Sequence, residues 1–251
     1  MKKYLLLILI TSVFTAQSQP LEKIEYLLRY GFIHGGEVIL ESNDTVFQSK
    51  KAIHHYLRAQ TKGIADKLYK VDDVYESIVD AKTRLPLKSI RNIKERKYRY
   101  YNEIIFSNER DSITSKRSGK MVAPDNMVDI LGLFFYMRKP GFLDKLKRGG
   151  TIEMPVSHDE DIFMMRVNYL GMETVQTVLG KKECMVVAPI MKKGKVLERD
   201  DGLRFYITND HQRLPVFMEF EMKIGSVKCE LTDYRIKGKS QKNKPGAIFY
   251  D

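Results

Sequence analysis

Residues 124–140 read Pro-Asp-Asn-Met-Val-Asp-Ile-Leu-Gly-Leu-Phe-Phe-Tyr-Met-Arg-Lys-Pro. Prolines bracket the block, and Asp125 or Asn126 is placed to cap the first free N–H groups of a helix. Met127, Val128, Ile130, Leu131, Leu133, Phe134, Phe135 and Met137 recur at steps of three and four, the period of a helix and not of a strand. These positions cover more than one stripe, so a helix over about 125–139 has to be enclosed by other elements. Nearly everything outside it reads as strand. The expected fold is therefore mainly β: a curved antiparallel sheet or open β-barrel wrapped around one central apolar helix. Leu131, Phe134, Phe135 and Met137 are expected to line or plug its interior.

Upstream of this block, Ile24, Tyr26, Leu28, Tyr30 and Phe32 alternate along a first strand over 21–33. His34-Gly35-Gly36 is expected to break it, and a return strand starts at Glu37. A third run follows over 51–59, with Ile53, His55 and Leu57 on one side. Residues 61–70 step helically through Ile64, Ala65, Leu68 and Tyr69, which predicts a short helix. Strands are expected over 71–79 and 84–93, the second placed at an edge or bulge by Pro86. Residues 98–107 and 112–117 read as a hairpin. Downstream, after a loop over 141–150, strands are expected over 151–156, 162–170, 172–178, 182–189, 203–208, 214–222 and 226–236. Spacings of eight to twelve residues with Gly, Asp and Asn turns between them indicate an all-β meander or barrel.

The ends read differently. Met1-Lys2-Lys3 is a short positive segment, and Tyr4 to Phe14 is apolar but too short to span a bilayer. Ala16-Gln17-Ser18 supplies small residues at a cleavage site. A signal peptide over 1–18 is expected, with cleavage after Ser18 (or Ala16), and the protein is expected in the periplasm or secreted. No cysteine follows the apolar segment, so no lipid anchor is expected there. A single β-rich domain is expected over 19–237, and a flexible basic tail over 238–251. The formal charge of +11 suits attraction to anionic lipid head groups as well as plain solubility. Export and the absence of any nucleic-acid motif argue against nucleic acid as a partner.

Several short motifs, taken in order, resemble the bacterial domain-of-unknown-function family 3108. They are Tyr30-Gly31-Phe32-Ile33-His34-Gly35-Gly36-Glu37-Val38, the run from Lys67 to Ser77, Leu85-Pro86, the Asp129 to Arg138 segment, and Leu214-Pro215-Val216 before Gly225. The resemblance spans roughly residues 22–236. It implies an exported envelope protein and, by fold analogy, a likeness to the lipoprotein carriers LolA and LolB. Those proteins hold an acyl chain between a curved, open antiparallel barrel and its covering helices. The resemblance implies no established activity.

No catalytic or metal signature stands out. The five histidines show no His-Glu-x-x-His spacing, and adjacent His54 and His55 on a strand must face opposite ways. Asp159-Glu160-Asp161 beside His158 lacks the pattern of a calcium loop and reads as a solvated turn. There is no Gly-x-Ser-x-Gly elbow. Cys184 and Cys229 lie in apolar strands, where a disulfide and two buried free thiols both remain open. Twelve Met, twelve Phe and fourteen Tyr with no Trp supply a soft interior, suited to core filling or to an irregular apolar ligand. The expected function is non-enzymatic, with no cofactor and no metal. The leading expectation is binding of a lipid, acyl chain or other hydrophobic envelope component. The alternative is an envelope interaction protein with a filled core. A hydrolase would need His34, His55 or His158 to converge with carboxylates.

Overall fold

The computed structural model describes residues 20–107, 111–146, 149–158, 160–190, 202–221 and 225–241. The expected leader over 1–18, Asp159, Met191, Met222 and residues 242–251 of the expected tail lie outside the described residues. From the N-terminus come β1 (Glu22–Tyr30), β2 (Ile33–Phe47), β3 (Lys50–Thr61), a short helix α1 (Gly63–Leu68), β4 (Asp72–Asp80), β5 (Pro86–Glu95) and β6 (Tyr98–Ser107). Then follow β7 (Ser112–Ser115), β8 (Gly119–Val122), β9 (Val128–Asp129) and helix α2 (Ile130–Met137). A single 3-10 turn at Leu143–Lys145 leads to β10 (Thr151–His158), β11 (Asp161–Thr177) and β12 (Gly180–Ile190). The chain closes with β13 (Leu203–Thr208), β14 (Pro215–Glu221), β15 (Ser226–Ile236) and β16 (Lys239–Ser240).

These strands form one sheet with β1 in its middle. One arm runs outward from β1 through β2 to β8 in chain order, and the other runs through β15 back to β9. Every pairing is antiparallel except β9 with β10, where Val128 and Asp129 lie beside Val156 and Ser157. The chain passes from the outer strand of one arm, ending at Val122, to the outer strand of the other, starting at Val128. Six residue steps reach roughly 22 Å at most. Fifteen strands laid flat would span about 67 Å. The sheet is therefore curled so that its outer strands come together, with no hydrogen-bonded seam among the described residues. Packing marks the closure: Ile104, Phe106 and Ile113 of one arm share a cluster with Ala123, Met127 and, from the other arm, Ile162. Arg117 also pairs with Glu160 at 2.7 Å across it.

Several expected breaks prove to be continuous strand. His34-Gly35-Gly36 lies within β2, and a Cβ on Gly36 would collide with the Gln60 carbonyl oxygen of β3. That glycine permits close strand approach and does not make a turn. Gly171 likewise lies inside the long strand β11, at a register shift against β12. Pro86 opens β5, an interior strand, and pairs with Val79 at the register shift between Ile78 and Val79, so of the expected edge or bulge it is the bulge that occurs. Past residue 237 the chain is still paired, since Arg235 and Ile236 face Ser240 and Lys239.

The helix expected over 125–139 is shorter, Ile130–Met137. Asp125 and Asn126 do not cap it; the residues before it form a turn and β9. Asp129 is the cap. Its Oδ1 accepts from the Leu131 and Gly132 amides at 3.1 and 2.9 Å, and its Oδ2 accepts from the Ser77 hydroxyl of β4 at 2.5 Å. A Cβ at Gly132 would sit 2.7 Å from that carboxylate, so glycine is what lets the cap close. The other end is held by Arg138. Its guanidinium donates to both carboxylate oxygens of Glu22 on β1 at 3.0 and 2.6 Å. It also donates to the Arg213 carbonyl at 3.1 Å. Leu131, Leu133, Phe134 and Met137 are buried, while Ile130, Phe135 and Tyr136 are half-buried. The helix expected near 61–70 is Gly63–Leu68 and buries none of its residues.

Asp129 is fully enclosed, and burial raises its carboxyl above the usual range against the lowering effect of its Ser77 and amide donors. Both helix amides bond the same oxygen, Oδ1, which an asparagine carbonyl also supplies. Asp129→Asn should change stability little, whereas Asp129→Ala should cost about 1–2 kcal/mol in urea unfolding through loss of the cap. Equal losses for the two would show that the carboxylate charge, not the acceptor, holds the helix.

Candidate functional site

Two open cavities adjoin helix α2. The larger, about 400 Å³, lies on the Leu131, Phe134 and Met137 side of the helix. Leu28, Val38, Leu57 and Ala59 wall it from strands β1–β3. Leu203, Phe205, Met218 and Phe220 wall it from β13 and β14. Among the described residues, no lining side chain is Asp, Glu, Lys or Arg. The lining groups able to titrate are Tyr75, His158 and Cys229. Burial raises the Tyr75 hydroxyl and the Cys229 thiol and lowers the His158 imidazole to about 4, with Arg91 adding to the last. At neutral pH the described residues of the cavity wall thus carry no formal charge, and an apolar chain would displace no ion solvation from them on entering.

The second cavity, about 390 Å³, lies on the opposite side of α2 and is polar. Phe135 faces it with Glu22, Ser42, His55, Arg84 and Arg138. The His55 ring is 3% exposed, stacks on Phe135 at 3.7 Å, and shares a 2.8 Å hydrogen bond between Nδ1 and the Ser42 hydroxyl. Burial, with the charges of Arg84 and Arg138, lowers its imidazole to about 3. Burial alone would raise Glu22, but the Arg138 charge and hydrogen bonds, with a further bond from Tyr234, hold it below the ordinary carboxylate range. A third hollow, about 330 Å³, sits between β11 and β14–β15 near Val178 and Phe217.

Of the four expected ligand-lining residues, Leu131, Phe134 and Met137 share the apolar cavity. Phe135 does not, because it is turned toward His55 and the polar side. The helix is too short and too differently flanked for all its apolar residues to serve one space. The strand residues that complete the wall were carried by the alternation through Leu28 on β1 and Leu57 on β3, but their convergence depends on the curl. His54 and His55 do face opposite ways: His54 bonds Glu76 at 2.7 Å while His55 is interior. His34 is exposed near the start of β2, His55 lines the polar cavity and His158 the apolar one, so the three do not converge. Glu160 is engaged with Arg117, and no group of metal-ligating side chains occurs among the described residues.

Cys184 and Cys229 are free and buried. They sit on β12 and β15, with β13 and β14 between them, so the strands that would have to be neighbours for a bridge are not. Burial pushes the Cys184 thiol up to about 11, which leaves it a poor nucleophile.

A mainly β protein, with one curved, open sheet and an apolar cleft beside its longer helix, is the class these features define. Residues 25–232 match the family model described as "Protein of unknown function (DUF3108)", and the chain belongs to that family. The structure is similar to the crystal structure of a β-barrel-like protein of domain of unknown function DUF1849 from Brucella abortus. The TM-score is 0.59 at 11% identity, covering 87% of this chain and 98% of that one, which shows a shared fold alone. A hypothetical protein of Chlamydia trachomatis aligns over 92% of this chain and 95% of its own at 8% identity, but its TM-score of 0.36 carries no argument. No curated protein gives a significant match.

The neutral His55 has a measurable consequence. Its folded value, about 3, lies below the unfolded value near 6.5, so the unfolded state binds the extra proton between them. The resulting stability is fully present above about pH 6.5 and falls on acidification by up to about 1.4 kcal/mol per pH unit. His55→Phe should remove about half of the histidine-linked decline between pH 6.5 and 4, because His158, lowered to about 4, contributes a slope of similar size over the same range. An unchanged slope would show that His55 is not held neutral in the fold.

Proposed function

We propose that the protein is a non-enzymatic carrier or receptor for an acyl chain or similarly apolar envelope component, held in the cavity between α2 and the curled sheet. The observation that carries this reading is the uncharged wall that the described residues give the roughly 400 Å³ space beside Leu131, Phe134 and Met137. That volume falls in the range of small-molecule sites, about 300–1,000 Å³. In this reading α2 is the interior element against which the ligand packs. The reading follows the fold analogy to the open-barrel lipoprotein carriers LolA and LolB that the family resemblance implies. The Met and Phe side chains on the walls can repack around chains of different length. A filled-core interaction protein would not retain such a space. The separation of His34, His55 and His158 supports a binding role over hydrolysis.

Export to the periplasm belongs to the same proposal. It is supported by the Lys2-Lys3 and Tyr4–Phe14 pattern, and it would place the protein where acyl-bearing envelope components occur.

Burial of a methylene contributes about 0.8 kcal/mol, or roughly fourfold in affinity. Saturated fatty acids of increasing length should therefore displace a fluorescent acyl probe with affinities rising about fourfold per methylene, then levelling once the cavity is full. Ala59→Phe, which inserts a ring into the wall between Leu57 and Val38, should abolish probe binding while leaving the far-ultraviolet circular dichroism unchanged. Chain-length-independent binding, or full binding by Ala59→Phe, would place the probe elsewhere and contradict the proposal.

A further inference from the structure

One end of the sheet carries an unusual run of exposed apolar side chains. The β1–β2 turn presents Tyr30, Phe32 and Ile33, with Phe32 fully exposed. Helix α1 presents Ile64 and Leu68, each about two-thirds exposed, followed by Tyr69. The two segments are neighbours. Gly36 pairs with Thr61, and the Lys62 amide donates to the Gly35 carbonyl at 3.0 Å, so α1 leaves the sheet beside the β1–β2 turn. Helix α1 buries nothing in the domain, so folding alone does not explain its apolar side chains.

The charges around this end favour an anionic partner. Lys67, Lys70 and Lys97 carry no ion pair among the described residues, and Arg96 lies over the Tyr69 ring at 5.5 Å. Of the nearby acids, Glu37 is paired with Lys62, Glu95 accepts from the Tyr69 hydroxyl, and Asp66 accepts from Thr61. Asp66 and Glu95 keep their charges, and around the protruding aromatic and aliphatic tips Lys62, Lys67, Lys70, Lys94, Arg96 and Lys97 outnumber Glu37, Asp66, Asp73 and Glu95. That combination fits the interface of a bilayer containing anionic lipid, where apolar tips enter the acyl boundary and lysines meet phosphate groups. It does not fit a nucleic acid, which would leave the apolar tips in water.

The same end adjoins the apolar cavity. Leu28 lies two residues before Tyr30, Val38 two after Gly36, and Ala59 two before Thr61. We infer that the β1–β2 turn and helix α1 form a docking surface for an anionic lipid bilayer, placing the cavity next to the membrane from which an acyl ligand enters or leaves. The link to ligand exchange rests on the proposed function; the docking surface does not.

The chain contains no Trp, so Phe32→Trp provides a single reporter at the tip. With vesicles of equal parts phosphatidylglycerol and phosphatidylethanolamine, its emission should shift to shorter wavelength, and brominated lipid should quench it. The shift should weaken with added salt and be much smaller with phosphatidylcholine vesicles. Leu68→Asp in the same background should weaken partitioning about tenfold or more without altering thermal unfolding, because Leu68 is exposed. Both variants carry the same N-terminal segment, so its own lipid affinity cancels in the comparison. No shift with anionic vesicles, or an equal shift in the Leu68→Asp variant, overturns the docking surface. Acyl-probe binding is read separately: probe bound without insertion leaves the cavity reading intact, and insertion without probe binding leaves the docking surface intact.

Discussion

Between Val122 and Val128 the chain passes from one outer strand of a long sheet to the other, and this short crossing constrains the whole molecule. Two antiparallel arms, each extended strand by strand from β1, can be joined at their far ends by so few residues only if the sheet curls on itself. The curl turns one face of both arms inward. It places Ile24, Tyr26 and Leu40 of one arm in a cluster with Val186, Leu214 and Met218 of the other. Among the described residues the closure is made by side chains and not by a hydrogen-bonded seam, so the interior has walls without being a sealed barrel.

Helix α2 follows the crossing directly and takes its position from it. Once Val128 and Asp129 have paired with β10, Asp129 caps the helix and reaches Ser77 on the opposite arm. Arg138 then ties the other end to β1 and to the turn before β14. An eight-residue helix would be marginal in isolation. Here both ends are fixed to elements far apart in sequence, and its apolar side chains complete two clusters that the strands alone leave open. One side of this helix meets an apolar space, and the other meets the buried His55 and the half-buried Glu22 and Arg138. The carboxylate and guanidinium at this site are compensated by each other, which is the condition for keeping charge so close to a core.

Much of this was legible from residue order. Alternation located most strands, and Leu203–Thr208 and Ser226–Ile236 coincide with the expected runs. Within the apolar block at 124–140 lies a helix, Ile130–Met137, with Leu131, Leu133, Phe134 and Met137 buried. Its limits were not legible, because Val128 and Asp129 adopt strand pairing dictated by a partner 28 residues downstream. Gly36 and Gly171 misled for a related reason: glycine signals a turn locally, but close strand approach or a bulge depends on a neighbour the local pattern does not reveal. Leu131, Phe134 and Met137 were found at the apolar cavity because helical spacing puts them on related faces. Phe135 was grouped with them, and its partner His55 is visible only once the strands are assembled. The Glu22–Arg138 pair, 116 residues apart, had no local signal at all.

Family membership and the shared fold with the Brucella abortus protein fix the architecture without assigning an activity, so function is argued from the site. A space of this kind is costly to retain empty, since a cavity forfeits the packing that filled cores gain. In the present account a ligand supplies that packing. Native mass spectrometry of protein isolated from the cells that normally make it measures this directly. The account predicts a mass above that of the polypeptide, released by organic solvent as a molecule bearing an acyl chain. Protein that is uniformly of polypeptide mass under conditions that preserve apolar complexes would contradict it.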